Sequence, residues 1–212
     1  MEKKIKDGFG FYAILTNPVR GYEYVANVLV DYEIPFIQLR IKDMSQFKIL
    51  RIADKLRYIT ENTFSKLIIN DYPYIARDCE ADGVHVGQAD MVFEKVIDIL
   101  GPDMIVGIST HNEAQTEEAC KKGPDYIGIG PVFKTPTKKI PDPVIGIEGM
   151  KKMLKKSNIP AVCIGGITLS LLREVLEEGA KNFCIVRPLC SSQNPAKVVE
   201  DILNIYNDFR EK

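Results

Sequence analysis

Short apolar runs rich in Val and Ile alternate, from one end of the chain to the other, with longer stretches whose apolar residues recur at helical spacing. The short runs centre on Ile14, Ile37, Ile68, Val84, Val106, Ile127, Val162 and Ile185. Strand-length runs separated by amphipathic stretches predict β-α units, with parallel pairing and helical crossovers. Eight such units predict a (β/α)8 TIM barrel in the α/β class, with a doubly wound sheet as the rival. No linker-like segment interrupts the alternation, so residues 1–212 read as one barrel domain.

Punctuation residues set the expected boundaries. The first strand, over 11–16, stops at Asn17-Pro18, because proline disfavours helix at the residue before it. A helix follows over 22–32. The second strand, over 36–41, carries Gln38 and Arg40 on one face by its period of two, and Lys42 continues that face. Asp43 with Gln46 three residues on reads as the capping box of a helix running to about Thr60. The third strand, 66–70, runs into Asp71, and the fourth, 83–86, leads to Gly87-Gln-Ala-Asp90. The fifth, 104–108, ends in Ser109-Thr-His-Asn-Glu113, where Thr110 and Glu113 read as a second capping box. The eighth, 183–186, ends at Arg187-Pro188, and Asn194-Pro195 opens the last helix.

The sixth and seventh segments carry the clearest chemistry. Asp125-Tyr-Ile-Gly-Ile-Gly-Pro-Val-Phe-Lys-Thr-Pro-Thr-Lys-Lys139 is a strand ending in glycines and then a loop crowded with hydroxyls and cations. Ala161-Val-Cys-Ile-Gly-Gly-Ile-Thr168 is a strand entering a Gly-Gly turn before a helix. Glycine lets backbone approach a ligand closely. Hydroxyls, cations and open N–H groups together favour an anion. Two such segments late in a barrel predict a phosphate site at its mouth. Taken singly, either reads equally well as a tight turn beside a solvated loop.

Composition narrows the function class. A formal net charge of -1 obliges no face to meet nucleic acid or membrane. No apolar run reaches membrane-spanning length, and the charged N-terminal residues lack a signal peptide's apolar stretch. The five cysteines are odd in number and form no Cys-x-x-Cys pair, which argues against zinc and against a disulfide framework. Cys163 and Cys184 sit in apolar runs and read as inert core residues. A reducing cytoplasm is the expected setting.

In a barrel the C-terminal strand ends share one mouth. Here they bring Gln38, Arg40, Lys42, Asn70, Asp71, Asp90, Ser109, Thr135, Thr137, Lys138 and Arg187 together. Asp71 and Asp90, from neighbouring strands, suit Mg²⁺, which takes one or two carboxylates plus substrate phosphates. Arg40, Lys42 and Lys138 would neutralise the remaining phosphate charge. Each residue has a structural alternative. Asp71 could cap the helix containing Pro73, Asp90 could cap the fourth helix, and Arg40 could pair with Asp71. The capping box at Thr110 leaves Ser109 without a required catalytic role. His85, between two valines, reads as a barrel-wall residue, and His111 has no evident partner in sequence.

Gln38-Leu-Arg-Ile-Lys-Asp43, Asn70-Asp71, Gly83-Val-His-Val-Gly-Gln-Ala-Asp90, Gly107-Ile-Ser-Thr-His111, Gly128-Ile-Gly-Pro-Val-Phe-Lys-Thr-Pro-Thr-Lys138 and Ile164-Gly-Gly-Ile167 together resemble the thiamin phosphate synthase family, in order and over nearly the whole chain. The resemblance implies a transferase that joins an aminopyrimidine bearing a methyl pyrophosphate to a thiazole phosphate, giving thiamin phosphate and pyrophosphate. It further implies Mg²⁺ on Asp71 and Asp90, and the pyrophosphate on Arg40, Lys42, Asn70 and Lys138. Gln38 and Ser109 would lie against the pyrimidine. Thr135, Thr137, Gly166 and the end of strand eight, Val186 and Arg187, would hold the thiazole phosphate. Two positions depart from the family pattern: Val186-Arg187 stands where Val-Ser is common, and Tyr72 where Arg is common. Two other classes use the same barrel: a thiazole tautomerase-like isomerase, and a non-catalytic regulator that binds thiazole or thiamin phosphate. The first would need an acid–base His without the Arg40, Lys42, Asp71 and Asp90 set; the second could lose the pyrophosphate and metal groups.

Overall fold

The structure, a computed structural model, describes residues 5–88, 90–135 and 142–211. Eight parallel strands pair in sequence order and close on themselves: β1 (Gly10–Leu15), β2 (Phe36–Leu39), β3 (Lys66–Asn70), β4 (Gly83–Val86), β5 (Ile105–Thr110), β6 (Tyr126–Ile129), β7 (Ala161–Cys163) and β8 (Asn182–Phe183). Around them run α1 (Tyr22–Asp31), α2 (Gln46–Thr60), α3 (Pro73–Asp78), α4 (Phe93–Leu100), α5 (Glu113–Lys122), α6 (Gly146–Lys156), α7 (Leu169–Glu177), α8 (Arg187–Cys190) and α9 (Pro195–Arg210). Closure removes the free edges that a doubly wound sheet would keep, and the chain is a (β/α)8 barrel.

Strand side chains alternate between two cores. Outward residues such as Leu67, Ile69, Val84, Val86, Ile127 and Ile129 pack with the buried faces of the helices. Inward residues Tyr12, Ile14, Phe36, Ile68, Ile105, Tyr126, Val162 and Cys184 form a second cluster with Ile5. The aromatic members make its floor: the Phe9 and Phe36 rings meet edge-on at 4.7 Å, and Tyr12 stacks on Phe36 at 5.6 Å. Gly107 makes room for this packing, because a Cβ there would lie 2.2 Å from Cζ of Tyr126.

The seam between β1 and β8 is only two residue pairs long, Gly10 with Asn182 and Phe11 with Phe183. A side chain extends it. The Asn182 Oδ1 accepts from the backbone N–H groups of Gly8, Phe9 and Gly10 at 3.1, 2.8 and 3.3 Å. Its Nδ2 donates to the Ala161 carbonyl at 3.1 Å and to Asp7 at 2.8 Å. Asn182 is fully buried, so these bonds replace water that cannot reach it.

Several sequence expectations change at element ends. β8 begins at Asn182 and stops at Phe183, not at Val186, because Val186 takes helical angles (φ -99°, ψ -64°) and starts the short α8. Ser45, not Asp43, precedes α2, and its side chain makes no capping bond. Asn112, not Thr110, caps α5, accepting from the Gln115 N–H at 2.9 Å. Thr110 is instead the last residue of β5, buried and donating to the Gly128 carbonyl at 2.9 Å.

Replacing Asn182 by Ala strands three backbone donors at the seam. We expect a loss of about 2–4 kcal/mol, the scale of several buried unsatisfied groups partly relieved by rearrangement. Urea unfolding of the variant checks this; a loss below about 0.5 kcal/mol, the range of an ordinary surface substitution, would contradict the seam's role.

Candidate active site

One cavity of about 510 Å³ opens at the C-terminal strand ends. Its lining includes Gln38, Arg40, Lys42, Asn70, Asp71, Asp90, Ser109, Thr135, Gly166, Val186 and Arg187, so the sequence-derived residues converge. Thr137 and Lys138 lie outside the described residues. Tyr72 lies in a neighbouring, shallower recess lined also by Lys42, Asp71, Asp90 and Lys95.

At one side of the mouth, Lys42 forms an ion pair with Asp71. Asp71 is 11% exposed at its side chain, against 46% for Lys42, so the carboxylate is the inner partner. Its backbone is left-handed (φ 66°), and its N–H donates to the His85 carbonyl at 2.8 Å, continuing the β3–β4 pairing. Asp90 reaches Asp71 from the neighbouring strand end, and its Oδ2 accepts from the Gly87 N–H at 2.7 Å. Burial raises the Asp71 pKa; the Lys42 ammonium opposes this, and the adjacent Asp90 carboxylate adds to it. Neither carboxylate caps a helix, since the residues at the α3 and α4 N-caps are Tyr72 and Val92. Arg40 makes no ion pair with Asp71 among the described residues; Lys42 takes that place.

Two close carboxylates in a half-buried rim repel each other unless a proton or cation lies between them. Among the described residues no group of three or more His, Cys, Asp or Glu gathers as a metal cage. Two carboxylates on the rim of a cavity of this size match the oxygen-donor type that Mg²⁺ prefers, with water and substrate phosphate as the usual further ligands.

The opposite side of the mouth is backbone. Gly165 and Gly166 take φ 101° and 67°, which L side chains rarely adopt. A Cβ at Gly165 would lie 2.5 Å from Pro131 Cα, and one at Gly166 would lie 2.7 Å from the Lys134 carbonyl oxygen. The turn and the loop after β6 are thus pressed together, with Thr135 on their cavity side. Arg187 lines the same region, and no acidic residue pairs with it among the described residues.

Beneath the mouth lies a row of hydrogen bonds that the sequence did not announce. Gln38 Nε2 donates to the Tyr12 hydroxyl at 2.9 Å, and the Tyr12 and Tyr126 hydroxyls are 2.7 Å apart. His85 Nδ1 is 3.0 Å from the Tyr126 hydroxyl, and its Nε2 is 2.9 Å from Ser109 Oγ. Burial raises the pKa of both tyrosines, so both carry their protons. Either hydroxyl can donate in the Tyr12–Tyr126 bond, and the roles of the two His85 nitrogens follow the ring's tautomer. His85 is therefore more than a wall residue: both ring nitrogens are engaged inside the barrel. The missed tyrosines had one available signal, the period of two that places Tyr12 with Ile14 and Tyr126 with Gly128 on inward faces.

Residues 12–189 match a family model described as thiamine monophosphate synthase. The thiamine-phosphate synthase of Dictyoglomus thermophilum is 38% identical over 186 residues, covering 88% of this chain and 83% of that protein. That of Caldicellulosiruptor bescii is 37% identical over 185 residues, covering 87% and 84%. The solved thiamine phosphate pyrophosphorylase from Pyrococcus furiosus aligns at TM-score 0.87 and 29% identity, covering 96% of this chain and 98% of that one. A 3-hexulose-6-phosphate synthase structure, at TM-score 0.65 and 12% identity, shares the fold alone. With its barrel, its glycine turn and its paired carboxylates in this arrangement, the chain belongs to the thiamine monophosphate synthase family.

Proposed function

We propose that this cavity carries out its family's condensation with Asp71 and Asp90 as Mg²⁺ ligands and with cations from its own strand ends. The protein joins an aminopyrimidine bearing a methyl pyrophosphate to a thiazole phosphate, giving thiamin phosphate and pyrophosphate. The carrying observation is that one undivided cavity has a cation-and-carboxylate rim on one side and a glycine cradle on the other. Two anionic substrates can then sit with their reacting ends facing inward.

When C–O cleavage leads, negative charge grows on the departing pyrophosphate. Arg40 and Lys42 are aimed at that charge, with Asn70 beside them, and they favour the transition state over the ground state. Bound Mg²⁺ would add Lewis-acid stabilisation to the same oxygens. Gln38 and Ser109 hold the pyrimidine, whose amino group delocalises the cation left on the methylene carbon. The thiazole nitrogen is already nucleophilic, so its attack requires no enzymic base. Thr135, Gly166, Val186 and Arg187 hold the thiazole phosphate and bring that nitrogen into line. Arg187, in place of the family's common serine, supplies a charge-assisted contact. Tyr72 leaves one cation fewer on the pyrophosphate side, and Lys95 shares its recess.

The reaction needs no partner beyond these small molecules. Among the described residues no helix is long and apolar enough to cross a membrane. All five cysteines are free, which supports a reducing, cytoplasmic setting. Mixing both substrates with Mg²⁺ and measuring pyrophosphate release tests the reading directly.

In the metal-free protein Asp71 should titrate above exposed aspartates, because burial and Asp90 outweigh Lys42. The folded state then holds this proton more tightly than the unfolded chain, so the group lowers stability as pH rises through its titration. Mg²⁺ needs the charged form and should draw the titration down. Carbon NMR of the Asp71 carboxyl with and without Mg²⁺ checks both shifts; a metal-free midpoint at or below the exposed aspartates would contradict the site. Asp71→Asn and Asp90→Asn should each lower kcat by about 10²-fold or more with the fold intact, since each removes charge stabilisation of several kcal/mol. Near-normal turnover in EDTA would sink the metal's role.

Arg187→Ala should weaken thiazole phosphate binding by roughly 1.5–3 kcal/mol, the scale of a hydrogen bond to a charged group. Affinity for the pyrimidine pyrophosphate should barely move. Calorimetric titration decides it: an unchanged thiazole phosphate affinity, or equal losses for both substrates, would remove Arg187 from the site.

A further inference from the structure

His111 stands outside the mechanism above, yet it lines the cavity and its side chain is only 16% exposed. Its position is fixed from below. The His111 backbone N–H donates to Gln115 Oε1 at 2.8 Å, and Gln115 is itself held by the Asn112 cap at 2.9 Å. The ring is thereby mounted on the rigid first turn of α5. Its Nδ1 lies 2.6 Å from the Gly130 carbonyl. A carbonyl only accepts, so Nδ1 carries a hydrogen. That leaves Nε2 for Asp142, whose Oδ2 lies 3.5 Å away, an ion-pair rather than a hydrogen-bond separation. A hydrogen on Nε2 would point at this carboxylate.

Gly130 and Asp142 are on opposite limbs of the connection from β6 to α6. The root of that connection is fastened by backbone: Ile145 and Gly146 donate to the Pro131 and Val132 carbonyls at 3.0 and 3.1 Å. Val132 and Phe133 donate to Ile164 and Gly165 at 2.9 and 2.8 Å, tying the outgoing limb to the glycine turn. On the returning limb, His111–Asp142 is a side-chain tie farther out than the Ile145 bond, and Pro143 follows Asp142 and biases it towards an extended conformation.

We propose that His111 is a positioning residue: its imidazole clasps both limbs of this connection, Gly130 through Nδ1 and Asp142 through Nε2, and so fixes the thiazole phosphate side of the cavity. The clasp rests on the substrate assignment given above. It does not touch the reacting atoms. It acts through Thr135 and the backbone pressed against Gly166, so its effect falls on one substrate.

The test is a double-mutant cycle with His111→Gln and Asp142→Asn in the full chain. Glutamine is the replacement because its amide can still donate to Gly130 but has no second nitrogen for Asp142. Each single variant should raise the KM for thiazole phosphate by about tenfold, and the double variant by clearly less than the product of the two, because the two residues share a contact. The KM for the pyrimidine pyrophosphate should stay within about twofold, and Asp142→Glu, which keeps the carboxylate, should restore most of the loss. Independently of activity, amide exchange at Ile145 and Gly146 should quicken in both single variants. Multiplying effects in the double variant, equal losses for both substrates, or unchanged exchange would overturn the clasp. If the parent chain shows no condensation, the substrate assignment fails, and the exchange data still decide the clasp.

Discussion

The barrel depends on closing an eight-stranded sheet across a seam of two residue pairs. Every other neighbouring pair of strands is joined by a helical crossover as well as a ladder; β1 and β8 have only their two-pair ladder, and one buried amide adds to it. Asn182 accepts from three consecutive backbone donors and returns two hydrogens, one of them to the β7 carbonyl of Ala161. Hydrogen bonds of this kind contribute modestly when made and cost more when broken in a dry interior. The seam is therefore held less by attraction than by the absence of an alternative for those groups. With the barrel shut, the strand ends converge, and the placement of every polar group at the mouth follows.

Convergence creates an electrostatic problem as well as a site. Asp71 and Asp90 follow adjacent strands, β3 and β4, and their carboxyl groups meet at the rim. Lys42, two residues beyond Arg40 on the same inward face, partly offsets their repulsion from the solvent side. On the proposed reading, a divalent cation would relieve the remaining unfavourable charge. The opposite side is built largely of backbone, with the Gly165-Gly166 turn pressed against the loop after β6.

Much of this was legible in the chain. The period of two placed Gln38, Arg40 and Lys42 on one face, and the structure lines the cavity with all three. The Gly165-Gly166 turn was visible because left-handed backbone and close approach both demand glycine. Capping was harder to read. Asp43 and Thr110 satisfy a capping pattern locally, but strand pairing claims Thr110 for β5, and Asn112 just beyond it is free to cap. The β8 boundary failed for a related reason: an apolar run continues to Val186, while tertiary packing turns it into α8. Asn182 sat at the edge of that run as an unremarked polar residue. Its importance lies in contacts more than 170 positions away, as with Gly8 at a separation of 174.

The row from Gln38 through Tyr12, Tyr126 and His85 to Ser109 is continuous, and both of its ends line the cavity. Each hydroxyl can donate or accept, and the imidazole can carry its hydrogen on either nitrogen. Reversal asks only that Gln38 turn its amide over, so that its carbonyl accepts from Tyr12. One rotation of a wall side chain and one change of tautomer then let every bond run the other way, while the two phenols beneath stay where they are. A group that meets Gln38 or Ser109 from the cavity would favour one of the two proton orders over the other.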